Sequence, residues 1–105
     1  MLVTFQADTD IPNKQRHEIE RRLRFGLTRF EPRLRRVVVN LAHLATPVHG
    51  LCWHVGLDVD LQNTGGVKVQ EIDREISRGI DRATARAARV VERRISSTQR
   101  MRGAG

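Results

Sequence analysis

The sequence predicts a two-layer α+β domain with the element order β-α-β-β-β-α, in which a four-stranded sheet carries both helices on one face. Two kinds of apolar periodicity support this fold class. Four segments alternate apolar and polar residues, as half-buried strands do, and two longer segments repeat apolar residues every three or four positions, as amphipathic helices do. One apolar sheet face and two apolar helix stripes pack most simply as two layers. The 105 residues suffice for one such domain, which we place at residues 1–96.

The first strand and the first helix are predicted between residues 2 and 30. Strand one covers residues 2–7, where Val3, Phe5 and Ala7 share a face. Helix one runs from about residue 12 to residue 30, because apolar side chains recur there at Ile19, Leu23, Leu27 and Phe30. Asp8 and Asp10 precede it and are candidates for capping its N-terminus. Proline disfavours helix at the residue before it, so Glu31-Pro32 ends this helix.

Three further strands follow, at about residues 35–42, 51–61 and 67–71. The alternation is clearest in strand three, where six apolar residues share one face: Leu51, Trp53, Val55, Leu57, Val59 and Leu61. We therefore expect Trp53 to lie in the core between the sheet and the helices. The turn residues Asn63 to Gly66 predict a hairpin between strands three and four.

The last element is a long amphipathic helix. Asp73 is placed to cap it, and Ile76, Ile80, Ala83 and Ala87 continue at helical spacing to about Ser96. Residues 97–105 are polar and end in Gly-Ala-Gly, so we expect them to form a frayed basic tail.

The composition indicates a polyanion-binding protein. The chain carries 19 basic and 12 acidic residues, a net charge of +7, and all but two of the basic residues are arginine. Arginine binds phosphate bidentately and stacks on bases, which favours structured RNA over a generic anionic surface. The single cysteine cannot form an internal disulfide, and the N-terminus lacks the pattern of a signal peptide, so we expect a cytoplasmic protein. No apolar run approaches the roughly 20 residues that span a bilayer, so we expect no membrane partner.

The basic residues are concentrated in the two predicted helices. Residues 11–36 and residues 74–105 each carry nine basic and three acidic side chains, whereas the remaining residues are acidic overall. At about 100° per residue, five arginines of helix two fall in a stripe opposite its apolar face. We call this stripe the arginine ridge; it consists of Arg78, Arg82, Arg86, Arg89 and Arg93. Arginines at this spacing repel each other, which favours an anionic ligand over an ordinary solvated face.

Helix one carries a second basic patch, in which Lys14, Arg21, Arg22 and Arg29 surround Phe25. Arg22 and Arg29 are candidate RNA-binding residues together with the arginine ridge, and Lys14, Arg21 and Phe25 are secondary candidates. An exposed aromatic can stack on a base, although such a residue can also pack against a neighbouring helix.

Two other clusters do not predict a site. His43, His49, Cys52 and His54 are potential zinc ligands, but their spacing matches no zinc motif. Asp58 and Asp60 share a strand face without a partner base, as solvated strand residues do. No nucleotide-binding or hydrolase motif is present either. We therefore expect no enzyme activity, metal, cofactor or small-molecule substrate, and we favour a monomer.

The element order and three segments resemble the ribosome hibernation-promoting factors of bacteria, a family that includes the ribosome-associated inhibitor or subunit-interface proteins. The resemblance covers about residues 1–96 and identifies the chain as a short, divergent member. Its segments are Ile19-x-x-x-Leu23 with Phe30, Arg36-Val37-x-Val39-x-Leu41, and Ile76-x-x-Gly79-Ile80-Asp81-x-Ala83, which is similar to the opening of the family's second helix.

The resemblance implies a fold related to double-stranded-RNA-binding domains. It also implies binding to the small ribosomal subunit and its rRNA, where messenger and transfer RNA would lie, and inhibition of translation in resting or stressed cells. The family's RNA contacts come largely from basic residues of both helices, which correspond here to Arg22, Arg29, Arg78, Arg82, Arg86 and Arg89. The residues alone also allow a general structured-RNA-binding domain, or a protein-interaction module with an acidic partner.

Overall fold

A computed structural model describes the backbone of residues 1–104 and the side chains of residues 1–97. The elements are β1 (Leu2–Ala7), α1 (Asn13–Gly26), a 3₁₀ helix (Thr28–Arg33), β2 (Leu34–Thr46), β3 (Gly50–Leu61), β4 (Gly65–Asp73) and α2 (Ile76–Ala104). The predicted α+β class and the order β-α-β-β-β-α are confirmed.

The four strands form one sheet in the order β1-β2-β3-β4. β1 pairs with β2 in parallel, since α1 connects them, and the two hairpins make the other pairs antiparallel. The predicted turn between β3 and β4 is present, and Gly65 adopts a positive φ of 80° there, which glycine allows without strain. The register aligns Val37, Val59 and Val67 in one row across the sheet, so the apolar residues of three strands share the buried face.

Both helices pack on this face and enclose one core. α2 lies on β3 and β4, and α1 lies beside α2. Ile19, Leu23 and Leu27 from the first half of the chain and Ile80 and Val91 from α2 belong to a single buried cluster with the strand residues. The opposite face of the sheet, which we call the open face, is therefore free of helices.

The region after α1 differs from the prediction. α1 ends at Gly26, and the chain continues as a 3₁₀ helix that carries Phe30 into the core. Pro32 lies inside that 3₁₀ helix, where its ring and missing N–H oppose a continued α-helix. The predicted capping of α1 by Asp8 or Asp10 is also wrong, since α1 begins after Pro12 without a side-chain cap and Asp8 instead accepts a hydrogen bond from the His43 backbone at 2.8 Å.

The hairpin of β2 and β3 is longer than predicted. β2 continues to Thr46, which pairs with Gly50, because the turn between them is closed by a hydrogen bond from the His49 N–H to the Thr46 hydroxyl at 2.9 Å. The end of the hairpin extends beyond the helices, so Leu51 is 69% exposed and Trp53 packs at the margin of the core rather than within it. α2 also passes its predicted end near Ser96 and continues to Ala104, since no glycine or proline lies between Ser96 and Gly103. The side chains of residues 98–105, in the expected tail, lie outside the described part of the structure.

Candidate nucleic-acid interface

Arg78, the first member of the arginine ridge, is bound to a carboxylate of its own fold. Its Nε lies 2.9 Å from Oδ2 of Asp73, whose side chain is only 4% exposed. The hydrogen bond from Arg78, helped by the Glu75 backbone N–H, lowers the pKa of Asp73 to about 2, although burial opposes the shift. The same carboxylate raises the pKa of Arg78. Arg78 thus fixes the start of α2 against the end of β4.

Arg82 and Arg86 reach from α2 to the outer edge of β4. Arg82 pairs with Glu71 at 3.1 Å and donates to the backbone carbonyl of Ile72 at 3.3 Å. Arg86 donates to the carbonyl of Gln70 at 3.1 Å and lies 3.7 Å from Glu71. β4 is an edge strand, whose outward carbonyls would otherwise offer a template for pairing with another chain. These two arginines therefore cover that edge.

The distal members of the ridge, Arg89 and Arg93, have a different environment. Both are exposed, and within the part of the chain whose side chains are described neither forms an ion pair. They line a shallow depression on α2 together with Glu92 and Ser96. Because no carboxylate among the described residues holds them, their guanidinium groups can bind phosphate without first breaking such an ion pair.

Arg22 of α1 and Arg29 of the following 3₁₀ helix connect the first half of the chain to α2. Arg22 lies 2.6 Å from Asp81 and also pairs with Glu18 at 3.0 Å. Its pKa is raised, chiefly by the hydrogen bond to Asp81. Arg29 pairs with Glu92 at 3.1 Å. Arg22 lies against Asp81 and, further along both helices, Gly26 lies against Thr84, so α1 and α2 run in the same direction with a groove between them.

The secondary candidates lie along the same groove or beside it. Phe25 is 86% exposed, so it packs against no neighbouring helix. Arg21 pairs with Glu18 at 2.7 Å, which lowers the pKa of Glu18, and its own side chain remains 73% exposed. Lys14 is exposed in the first turn of α1, on the helical side of the molecule. The structure thus brings Arg21, Arg22 and Phe25 together at one groove.

The histidine and cysteine cluster is dispersed by strand alternation. His43 lies on the helical side of the sheet, where its ring stacks on Trp53 with a centroid distance of 4.0 Å. Cys52 and His54 belong to the open face. Among the described residues, no three His, Cys, Asp or Glu side chains are grouped so that they could hold a metal ion. Asp58 accepts a hydrogen bond from Asn40 at 3.4 Å on the open face.

One basic residue that the helical stripe did not include also contributes to the edge of β4. Arg94 donates to the carbonyls of Thr64 and Gly66, at 3.2 Å each. Helical spacing offers no signal for this contact, because Arg94 lies outside the stripe and its partners lie in the β3–β4 turn. Helical spacing also could not predict the pairing of Arg78 with Asp73, because Asp73 lies five residues earlier, in the strand before the helix.

Solved structures of two bacterial proteins have a fold similar to that of this chain. The N-terminal domain of Thermus thermophilus Protein Y matches with a TM-score of 0.65 and 26% identity, over 87% of this chain and 92% of that domain. A ribosomal subunit interface protein from Coxiella burnetii matches with a TM-score of 0.68 and 13% identity, over 90% of this chain and 96% of that chain. No protein-family model and no curated protein matches the sequence.

The predicted resemblance to the hibernation-promoting factor family is confirmed. The hibernation-factor fold places both basic helices on one side of the sheet, so that the arginines of α1 and α2 form a continuous surface. We call this surface the helical face. Within residues 1–104, no helix is both long and apolar enough to span a bilayer.

Proposed function

We propose that this chain is a cytoplasmic, ribosome-associated RNA-binding protein without enzyme activity. In this proposal the helical face binds the rRNA of the small ribosomal subunit and thereby inhibits translation in resting or stressed cells. The observation that carries it is the combination of the hibernation-factor fold with a helical face rich in arginine. The Coxiella burnetii protein of similar fold is described as a ribosomal subunit interface protein, which supports a ribosomal subunit as the polyanion proposed here.

The arginines of the helical face would bind in two ways. Arg89 and Arg93 would contact phosphate directly, because no described carboxylate competes for them. Arg22, Arg29, Arg78, Arg82 and Arg86 would contact phosphate by exchanging or sharing the carboxylates that hold them now. The pairs of Arg22 and Arg29 are at least partly exposed and hence individually weak, so that phosphate can replace them at low cost. The carboxylates of Asp73 and Glu71 are largely buried, so the three ridge arginines that hold them would keep these pairs and share their remaining N–H groups with phosphate. The first group should therefore contribute more net affinity per residue.

The open face of the sheet would point away from the ribosome. It carries Asp58 and Asp60, whose negative charges offset the cations beside them. Arg36 and Lys68 occupy the positions directly across from these aspartates in the strand register. This face is therefore close to neutral.

The test is the double variant Arg89→Gln with Arg93→Gln. Glutamine keeps the helix propensity and removes two charges, so the melting temperature should stay unchanged. Each phosphate contact contributes about 0.7–0.9 to the slope of log affinity against log salt, so the slope for ribosome binding should shrink by about 1.5–2. Binding is measured by co-sedimentation with purified small subunits over a range of salt concentrations.

The matched control is Arg36→Gln with Lys68→Gln, which removes two charges from the open face. We expect this control to retain most of the ribosome affinity. Its salt slope should stay close to that of the wild type and exceed that of the α2 variant. Equal losses from both variants would indicate that only net charge matters, and unimpaired binding by the α2 variant would reject the helical face. Free RNA duplex bound as tightly as small subunits would instead indicate a general RNA-binding domain. A nearly salt-independent interaction would indicate a protein partner.

A further inference from the structure

The groove between α1 and α2 contains an open slot that residues of both helices line. The ion pair of Arg22 with Asp81 borders the slot, and the pair of Arg29 with Glu92 joins the two chain segments further along. Between them the helices approach closely at Gly26, where a Cβ atom would lie only 2.4 Å from Cγ2 of Thr84. The open volume at this point is about 530 Å³.

The floor and the wall of the slot differ in chemistry. Gly26, Thr84 and Ala85 line the floor, and their small size leaves the space above them open. Phe25 forms the wall and is 86% exposed, although a phenylalanine ring is apolar and is usually buried. It is the most exposed large apolar residue among the described side chains, and the fold does not use it. A flat aromatic surface beside arginines is the arrangement with which proteins bind unpaired bases.

The charges around the slot fit a nucleotide rather than an apolar ligand. Arg21 lines the slot and is itself 73% exposed, and Arg89 follows Ala85 by one helical turn on α2. Both guanidinium groups can therefore reach a backbone that passes over the slot. Bases inside an A-form duplex are already stacked on each other, so only an unpaired nucleotide can present its face to Phe25.

We propose that the slot binds one unpaired nucleobase of RNA, which stacks on Phe25 while Arg21 and Arg89 bind the flanking phosphates. This inference depends on the proposed function, because it concerns the same helical face. It adds a preference that phosphate contacts cannot supply: RNA with a bulged or looped nucleotide should bind better than a continuous duplex.

The experiment compares two RNA hairpins at one salt concentration, one of which carries a single bulged 2-aminopurine in its stem. For the wild-type protein, we expect tighter binding to the bulged hairpin and quenching of the 2-aminopurine fluorescence on stacking. Phe25→Ala should weaken bulged-RNA binding about tenfold and abolish the quenching, but leave the continuous hairpin unaffected. Phe25→Tyr should retain both properties, and Phe25→Leu should behave like alanine.

Several outcomes would overturn the proposal. Equal binding of both hairpins by the wild type, or full affinity in Phe25→Leu, would exclude a stacking role. Loss of ribosome binding in Phe25→Ala with normal bulged-RNA binding would assign Phe25 to a ribosomal protein. Failure of the proposed function has a different signature, since the wild type would then not bind ribosomes, or would bind the continuous hairpin as tightly as ribosomes. Phe25→Ala removes no charge, so its salt slope should match the wild type, and an unchanged melting temperature shows that the variant is folded.

Discussion

At the scale of single residues, arginine has two roles on α2 that helical spacing does not distinguish. Spacing correctly predicts that Arg78, Arg82 and Arg86 point away from the apolar stripe of the helix. It does not show that they fold back onto the carboxylates and carbonyls of β4, because those partners come from another element. Only Arg89 and Arg93 meet the expectation of exposed side chains without an internal ion pair among the described residues. The location of the candidate site could thus be predicted, but its internal electrostatics could not.

Asp73 provides the residue-scale prediction. Its folded-state pKa of about 2 lies below the ordinary value of 3.8, so folding favours the ionised carboxylate. This stabilisation is complete above about pH 5 and is lost as the pH falls through the folded-state pKa. Asp73→Asn should lower the free energy of unfolding at pH 7 by about 1–2 kcal/mol, since solvent screens its half-exposed arginine partners. The variant should also lose less stability between pH 5 and pH 2 in urea denaturation. Asp60→Asn, the same change at an exposed strand position, should alter neither quantity.

At the scale of elements, the periods of the apolar residues predicted all four strands and both α-helices, and the errors concern their ends and the 3₁₀ helix after α1. The last apolar positions of the predicted first helix fit either an α-helix or an α-helix followed by a 3₁₀ helix, since Leu27 and Phe30 are buried in both. Alternation also could not show where β2 ends, because the turn that closes the hairpin depends on a hydroxyl contact of Thr46. Helix contact is likewise a tertiary property: α1 and α2 meet at Gly26, which spacing alone would treat as a weak helix residue.

Gly26 provides the element-scale prediction. An added Cβ would overlap the Thr84 methyl group, and Thr84 is a buried, β-branched residue that cannot easily rotate away. Gly26→Ala should therefore lower the free energy of unfolding by about 1–3 kcal/mol, even though alanine is the better helix former. The double variant with Thr84→Ala removes the overlap, as well as the one buried side-chain polar atom without a hydrogen-bond partner among the described residues. A thermal denaturation cycle should show that the second change rescues the first. Additive losses would contradict the contact.

At the scale of the whole molecule, the fold was predictable because one apolar sheet face and two apolar helix stripes allow few arrangements. The same two-layer packing separates charge. The basic helices lie on one side, and the aspartates of β3 lie on the other. The sequence reveals this segregation, since it assigns the net positive charge to the helical segments. The groove between the helices could not be predicted, because it depends on which faces of α1 and α2 meet.

The two lysines of the chain report on the orientation of the whole molecule. Lys14 lies in the first turn of α1 on the helical side, and Lys68 lies on the open face, where it pairs in register with Asp58. Both are exposed, so both should react with an amine-acetylating reagent in the free protein.

If the helical face binds the small subunit, acetylation of Lys14 in the bound protein should fall several-fold relative to acetylation of Lys68. The measurement is mass spectrometry of the protein recovered from the ribosome fraction. Raising the salt concentration until the protein dissociates should restore the reactivity of Lys14, because binding depends on phosphate contacts. Protection of Lys68 with Lys14 still reactive would show that the sheet, rather than the helices, faces the ribosome.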